Sequence, residues 1–525
     1  MWSRRVCCRR GWTSDSRAYS YRVGENFMLL VREASQEEPT VKRSPLPKFQ
    51  LFIVFLIQFA EPVTATVIYP FVNQFVRDTG VIGGDERRTG YYAGVIGSAF
   101  FFAEAVTVFH WGWASDRVGR RPILLLGPIG LALAMLSFGV AEKYWMLVFS
   151  RCIQGIFNGN IGVSKTVIAE ITDATNIADA FALMPLNWSL GITMGPILGG
   201  LLAEPAKRWP LLFGEVAFFH AHPYFLPCAA AGLCALLPGI LGLVGLKETL
   251  PSALRKQDRR KCVEDTRDAT SSTPLLAGDI PEYGSRDRDN SPAHAEGEHA
   301  AKGQADAPPP FRALLIPQVL LPLAFYMVLA FIDMSSQVLL PLMYSTSIPI
   351  GGLGLDPYRI GVILSVFGFV NAIVQLLFLP PLVRRWGPRN ICFAATISYL
   401  GNIGLYLPLL YFASRAGRVD GKVWATIVLQ LATRLTNSMA WGSIQIIIVD
   451  SAPSRASLGA TNGLAQALGC FARSVGPAVA SSLFSLSLER NLAGGKMVYF
   501  VLLGCTLLAL RLTFLLPQKL RSQKD

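Results

Sequence analysis

The chain has 525 residues, of which 52% are hydrophobic and only 16% charged, with a mean hydropathy of +0.40. That composition excludes a disordered or ordinary water-soluble chain and describes a polytopic membrane protein whose charges are confined to a few segments. The net charge of +13 does not point to nucleic acid, because the basic residues sit in the two tails, a central loop and two short turns.

In chain order, residues 1–48 form a basic tail without an apolar signal core, expected to be disordered and cytoplasmic. A membrane span needs roughly 20 apolar residues, and twelve stretches meet that need. Six of them, near 49–71, 90–112, 121–141, 144–169, 180–203 and 223–246, fall in a first unit, residues 49–247. The apolar pattern then stops for a charged, Ser- and Pro-rich tract, 248–312, which reads as a disordered linker. Six more spans, near 313–345, 358–383, 390–412, 421–449, 460–486 and 496–516, make a second unit, 313–516, before a short tail, 517–525. If the spans alternate, the basic segments share one side, which the retention of Lys and Arg makes the cytoplasm, with both termini inside. The turn holding Arg415, Arg418 and Lys422 is the exception.

The two units echo each other. "DRVGRR" (116–121) after span 2 returns as "RRWGPR" (384–389) after span 8, "GPILGG" (195–200) in span 5 as "GPAVAS" (476–481) in span 11, and Glu61 followed by Pro70 as Asp333 followed by Pro341. The offsets of 268, 281 and 272 residues are nearly constant and argue for a duplicated six-helix unit, hence an all-α membrane protein of two pseudo-symmetric six-helix bundles. The acid of the first copy is not repeated, since Arg384 stands at the place of Asp116, so a charge device there is one-sided.

Three motifs make the sequence resemble the major facilitator superfamily of transporters. Gly112, Asp116, Arg117, Gly119, Arg120 and Arg121 match its loop motif between spans 2 and 3. Arg151, Gln154 and Gly155 match the span 4 motif of its proton-coupled members, and Gly191, Gly195, Pro196, Gly199 and Gly200 the span 5 signature associated with antiporters. Through "WGWASDRVGRRP", "GPILGGLLA" and "LKETLP" it is most similar to the drug:proton antiporter-like branch near tetracycline-resistance and zinc-induced-facilitator-like proteins of fungal type. The Cys- and His-containing motifs of the plant zinc-induced facilitators are not found. The resemblance covers about residues 49–516 and implies the twelve-helix fold and transport by alternating access.

The chemistry of the loop is legible without the resemblance. Gly112 and Gly119 are expected to let backbones approach at a tight turn, leaving Asp116 to face a helix dipole. Arg120 and Arg121 are expected to pair with acids, Glu170 and Asp173 being the nearest. Together these residues read as a conformational latch that joins the two halves in one state and releases in the other. In span 5, Gly191, Gly195 and Gly199 recur every fourth residue, a strip against which a partner helix can pack closely.

Charges at membrane depth are expensive and default to function. Glu61, Asp333 and Glu104 are the proton-coupling candidates, the first two ahead of Glu104 because they occupy matched places and are expected to share one chamber. Glu104 is expected nearer the cytoplasmic end of its span. Arg151, Gln154, Asn158, Arg434 and Arg473 are the cavity and substrate candidates, with Lys165 further along the same face of span 4. The reading is a monomer in the lipid bilayer of a plasma or vacuolar membrane that moves a small molecule, a drug-like or organic ionic compound, outward in exchange for protons. A proton-coupled nutrient importer and a non-transporting sensor on the same fold remain alternatives. No GxxxxGK[ST] loop, CxxC spacing or His–Asp pair appears, so no nucleotide-driven pump, metal, cofactor, enzyme activity or nucleic-acid partner is expected.

Overall fold

The structure is a computed structural model describing residues 44–173, 176, 180, 183–250, 315–453 and 458–517. The expected disorder of the N-terminal tail, the linker and the C-terminal tail concerns residues that lie, apart from 44–48, 248–250 and 517, outside those described. The described residues form helices and no strands.

Twelve spans follow in order. Span 1 is Lys48–Thr66, continued after a turn by Val72–Asp78; span 2 is Thr89–Val118, span 3 Arg120–Gly139, span 4 Tyr144–Asn158 with Ile161–Ile171, span 5 Met184–Leu202 and span 6 Phe225–Gly245. The second set is Pro317–Ser345, Pro357–Trp386, Pro388–Gly404 with Tyr406–Ala416, Gly421–Ser451, Leu458–Glu489 and Met497–Leu515, spans 7 to 12. Among the described residues, nine helices are long and apolar enough to cross a bilayer by length and composition. Spans 4, 5 and 10 are not among them: span 4 is divided into helices of 15 and 11 residues, and spans 4 and 10 also bury polar side chains, Arg151, Gln154 and Asn158 in one, Gln430, Asn437 and Ser443 in the other.

Helix ends follow from local chemistry. Span 2 hands over to span 3 at Gly119, with φ 120°, and span 8 to span 9 at Gly387, with φ 77°, a region where a side chain is strained and glycine is not. Prolines act unequally. Around Pro70 span 1 breaks into a turn, with Tyr69 N–H bonding Thr66 O and Phe71 N–H bonding Ile68 O. Pro341, its counterpart, stays inside the unbroken helix of span 7, so of these two prolines only Pro70 lies at a break.

In a bilayer, helices gain little from hiding oil from oil, so close backbone packing at small residues decides which faces meet. The glycine strip of span 5 lies on span 1: a Cβ on Gly191 would strike Pro62, one on Gly195 Thr66, and one on Gly199 the Val67 carbonyl. Span 11 repeats the arrangement on span 7, where Gly476 lies against the Phe331 carbonyl and Ser335. The halves are then joined by crossed pairs. Gly200 of span 5 sits on Gly361 of span 8, and Ser481 of span 11 sits on Gly94 of span 2. Gly200 and Ser481 occupy equivalent places in the repeated motif, and Gly94 and Gly361 open the similar stretches "GVIGS" (94–98) and "GVILS" (361–365) of spans 2 and 8, so the two seams are related by the pseudo-two-fold. A small apolar cluster of Ala65, Phe100, Phe101 and Met334 crosses the seam at mid-depth.

Candidate functional site

The hydrogen bonds and ion pairs that join the halves, among the described residues, lie toward one end of the molecule. Glu86 accepts from Arg77 Nη1 at 3.0 Å and from Ser347 N–H and Oγ at 3.0 and 2.7 Å. Glu489 accepts from Arg88 Nε and from the Tyr91 hydroxyl, each at 3.0 Å. Deeper, Ser98 Oγ takes the Ala478 N–H at 3.0 Å. At the opposite end, which carries Asp116, no such bond between described residues joins the halves, so the structure is closed at the Glu86 end.

Among the described residues, the loop motif at the Asp116 end forms a network within the first half. Arg120 is its hub: Nη1 lies 2.6 Å from Asp116 and Nη2 3.1 Å from Glu170, and Nη1 also donates to Ser115 Oγ at 2.5 Å. The expectation that Asp116 faces a neighbouring helix dipole is therefore replaced by a pair one turn along. Glu248, which closes span 6, accepts the backbone N–H groups of Arg120, Arg121, Thr249 and Leu250 at 2.8 to 3.1 Å, and Thr249 Oγ1 donates to Glu170 at 2.6 Å. The first residues of the presumed linker thus belong to this network. Arg121 Nη2 caps the Leu243 carbonyl at 2.5 Å, and Arg117 stacks on Trp113 with its guanidinium carbon 3.8 Å from the ring. Gly119 is needed, because a Cβ there would press on Glu248, whereas Gly112 faces open space and serves no close approach. Asp173, expected beside Glu170 as a partner, donates its backbone N–H to Asn176 at 2.9 Å. Among the described residues the cluster touches spans 2, 3, 4 and 6 and not the second half, so in this conformation it holds its own half together.

At mid-depth the charged residues fall into two groups, not one chamber. The first holds Glu61 and Glu104, only 8% and 2% exposed. Each has the other half's Arg473 and span 4's Lys165 as electrostatic neighbours, and Asn158 stands within reach of both. Among the described residues, no ion pair within 4.0 Å neutralises either acid. Arg473 is held from its own side, Nη2 donating to Tyr326 Oη at 3.0 Å and the guanidinium facing Trp441 at 5.7 Å. Gln58, one turn before Glu61, donates to Ser164 at 3.0 Å. Among the described residues, four buried polar atoms of this group, Gln58 Oε1, Glu104 Oε2, Asn158 Nδ2 and Arg473 Nε, have no partner at full hydrogen-bond geometry, and neither has Gln154 Nε2, one turn before Asn158. Buried polar groups are normally satisfied, and these unsatisfied ones gather where four spans converge.

The second group lies nearer the closed end. Asp333 accepts from Tyr399 Oη and Gln337 Nε2, each at 2.8 Å. Arg434 faces Phe367 at 5.3 Å and is an electrostatic neighbour of Tyr399 and of Tyr69, at the break of span 1. Tyr69 also has Arg151 beside it. Arg151 is wholly enclosed, donating to Gln154 Oε1 and to the Ile96 carbonyl, with its guanidinium 4.6 Å over Phe100.

Two corrections follow. Glu61 shares its site with Glu104 and not with Asp333, which belongs to the tyrosine-rich group. Glu104 is not near the end of its span: span 2 runs on to Val118, past the apolar stretch read from the sequence, which places Glu104 in the middle. Tyr69, Tyr399 and Glu248 were missed. The tyrosines carry no charge to betray them at membrane depth. Glu248 had a signal, since it lies in the "LKETLP" segment.

No metal-holding group of three or more His, Cys, Asp or Glu occurs among the described residues.

Residues 54–477 match the family model described as Major Facilitator Superfamily. The chain is similar to the major facilitator-type transporter psiT2 of Psilocybe cyanescens, 31% identical with 94% of this chain and 96% of that protein covered. It is also similar to the major facilitator superfamily multidrug transporter mfsB of Aspergillus fumigatus, 30% identical with 85% and 80% covered. Among solved structures, that of a D-xylose-proton symporter superposes with a TM-score of 0.64 over 91% of this chain and 99% of the other, at 14% identity, a likeness of fold.

Proposed function

The chain belongs to the major facilitator superfamily, as an integral multi-pass transporter of the drug:proton antiporter-like type and not an enzyme, and from that premise we propose that it exports drug-like or organic ionic compounds by proton antiport. The observation that carries this reading is the Glu61–Glu104 pair. Two carboxyls share a buried site without an ion pair, and the nearest cations of the site, Lys165 and Arg473, come one from each half. Like charges so placed disfavour joint ionisation, so the pair is suited to hold a proton. A cationic or polar substrate that meets the same carboxyls competes with that proton, and competition for one site is what exchanges two flows. Because Arg473 is fixed to Tyr326 and Trp441, movement of one half against the other changes its distance from the acids. That the Aspergillus fumigatus relative is a multidrug transporter supports the substrate class.

The same proposal places the Asp116 end, with the basic termini and the linker, in the cytoplasm of a plasma or vacuolar membrane, which makes the present conformation open inward. Units 49–247 and 313–516 move as the two rocking bodies of a monomer, the loop cluster acting as a latch that engages the second half when that end closes.

Proteoliposomes test the coupling. With a pH difference imposed, the unmodified chain should accumulate a cationic dye or drug on the acidic side. Glu61→Gln and Glu104→Gln should each abolish that accumulation while sparing downhill exchange, and Asp333→Asn should retain it. Accumulation that persists in both glutamine variants would remove the pair from coupling. Accumulation on the alkaline side would make the protein a symporter.

A further inference from the structure

A surface unconnected with the chamber lies in the connection between spans 5 and 6, residues 204–223, at the closed end. It is folded on itself. Glu204 N–H donates to Pro223 O at 2.9 Å and closes the base, Lys207 Nζ lies 2.5 Å from Glu204 Oε1, and Arg208 Nη1 caps Gly200 O at 3.2 Å. The rings of Trp209, Phe213, Phe219 and Phe218 make consecutive edge-on contacts with centroids 5.0 to 6.2 Å apart, and His220 Nε2 meets Gly214 O at 2.8 Å. Just below the base, Tyr224 Oη donates to Asp78 at 2.5 Å. A segment so tied is a built structure and not a slack connection.

What it presents is apolar. Leu211 is 100% and Leu212 73% exposed, with Val216 and Phe218 each at 41%. In water this would be an unfavourable display for a loop already held in shape. Its three helices, Pro205–Arg208, Pro210–Phe213 and Ala217–Ala221, are too short to enter the hydrocarbon as a span.

We propose that loop 204–223 seats its Leu211–Leu212 tip in the boundary between lipid headgroups and acyl chains, so that the occupant of this surface is the bilayer itself. The surface is continuous with an established one: Leu201 of span 5 and Tyr358 and Val362 of span 8, each about two-fifths exposed, carry the bilayer-facing wall up to its foot. Its base leaves the ends of two spans, which fixes it at the level of the membrane surface. Its aromatic shell is the type enriched at that level. Two acids, Glu204 and Glu215, balance two bases, Lys207 and Arg208, so insertion rests on apolar contact and needs no anionic lipid. The loop also reaches the other half, with the Arg208 guanidinium 4.0 Å over the Tyr358 ring, so a fixed seat for the loop gives one side of the moving seam a membrane reference.

The test uses the full chain with its nine cysteines replaced by serine, a nitroxide at Leu211→Cys, and phosphatidylcholine vesicles. Collision with oxygen, which favours lipid, is compared with collision with a water-soluble nickel chelate, and an Arg418→Cys label on the exposed turn at the same end is the aqueous control. The expected oxygen-to-nickel ratio at 211 is at least about threefold that at 418, with no requirement for anionic lipid. Equal ratios would overturn the proposal. Protection that appears only at high protein-to-lipid ratio would also overturn it, assigning the surface to a second copy.

Discussion

The two loops that follow spans 2 and 8 began as copies and now do different work. Both turn on a glycine of positive φ, Gly119 and Gly387. Both place an arginine on the last carbonyls of the unit's final span: Arg121 caps Leu243, and Arg389 caps Thr513 and Phe514. Only the first keeps an acid before the glycine and gathers Asp116, Arg120, Glu170 and Glu248 into a network. What survived in both copies is what the backbone needs, a left-handed turn and a helix cap. What survived in one is charge that a moving part can use. The crossed seams differ in the same way. One brings glycine onto glycine, Gly200 on Gly361, and the other brings Ser481 onto Gly94.

The seams give the largest effect. Gly200→Leu places a side chain against the Gly361 and Pro357 backbone, which cannot yield as a side chain can. Overpacking of ~1–3 kcal/mol should cut the population of the closed state, and with it transport, by about 5- to 150-fold. Ser481→Ala at the other seam should leave transport within about twofold, since it only removes a group. Equal losses would mean that the seams do not differ in tolerance. Transport assays in vesicles, with cross-linking across the closed end, read both variants.

Next comes Glu248, which binds four backbone N–H groups of the first unit's network. Glu248→Ala leaves four backbone N–H groups without their acceptor and should lower stability by ~1–3 kcal/mol in detergent melts. The caps follow: Arg121→Ala and Arg389→Ala should each cost ~0.3–1 kcal/mol, and alike, because each removes a cation from a helix C-terminus. A cost confined to Arg121 would show that its value lies in the network and not in the shared cap. Asp116→Asn should change stability least, by ~0.2–1 kcal/mol, because its side chain is 64% exposed and such pairs are weak. It should nonetheless slow transport in a correctly inserted protein. An unaltered rate would reduce the loop's charges to fixing topology.

How much of this the residues announced depends on how local each feature is. The loop motif and the span 5 glycine strip could be found by eye because their spacing is their signal. Glu104 was misplaced because hydropathy ended span 2 near residue 112, whereas the helix continues through Trp113 and Arg117, whose stacked pair lets a charged turn stay helical beside the membrane. Glu61 and Asp333 looked like mates because the repeat aligns them, yet symmetry-related residues sit in different halves and need not meet. Glu248 could not be assigned, since its partners Arg120 and Arg121 lie 128 and 127 residues away.

The sequence by itself determined the membrane class, the twelve spans and the duplication, because hydropathy and helical period act within a few residues of chain. Only the tertiary structure decided that the span 5 strip faces span 1, that Glu61 meets Glu104 under Arg473, that Asp333 is held by Tyr399, and that the Glu86 end is the closed one. Those outcomes depend on how each helix is rotated about its axis. In lipid that rotation is set by which small-residue faces from distant segments fit together, a property of pairs of spans that no single span carries.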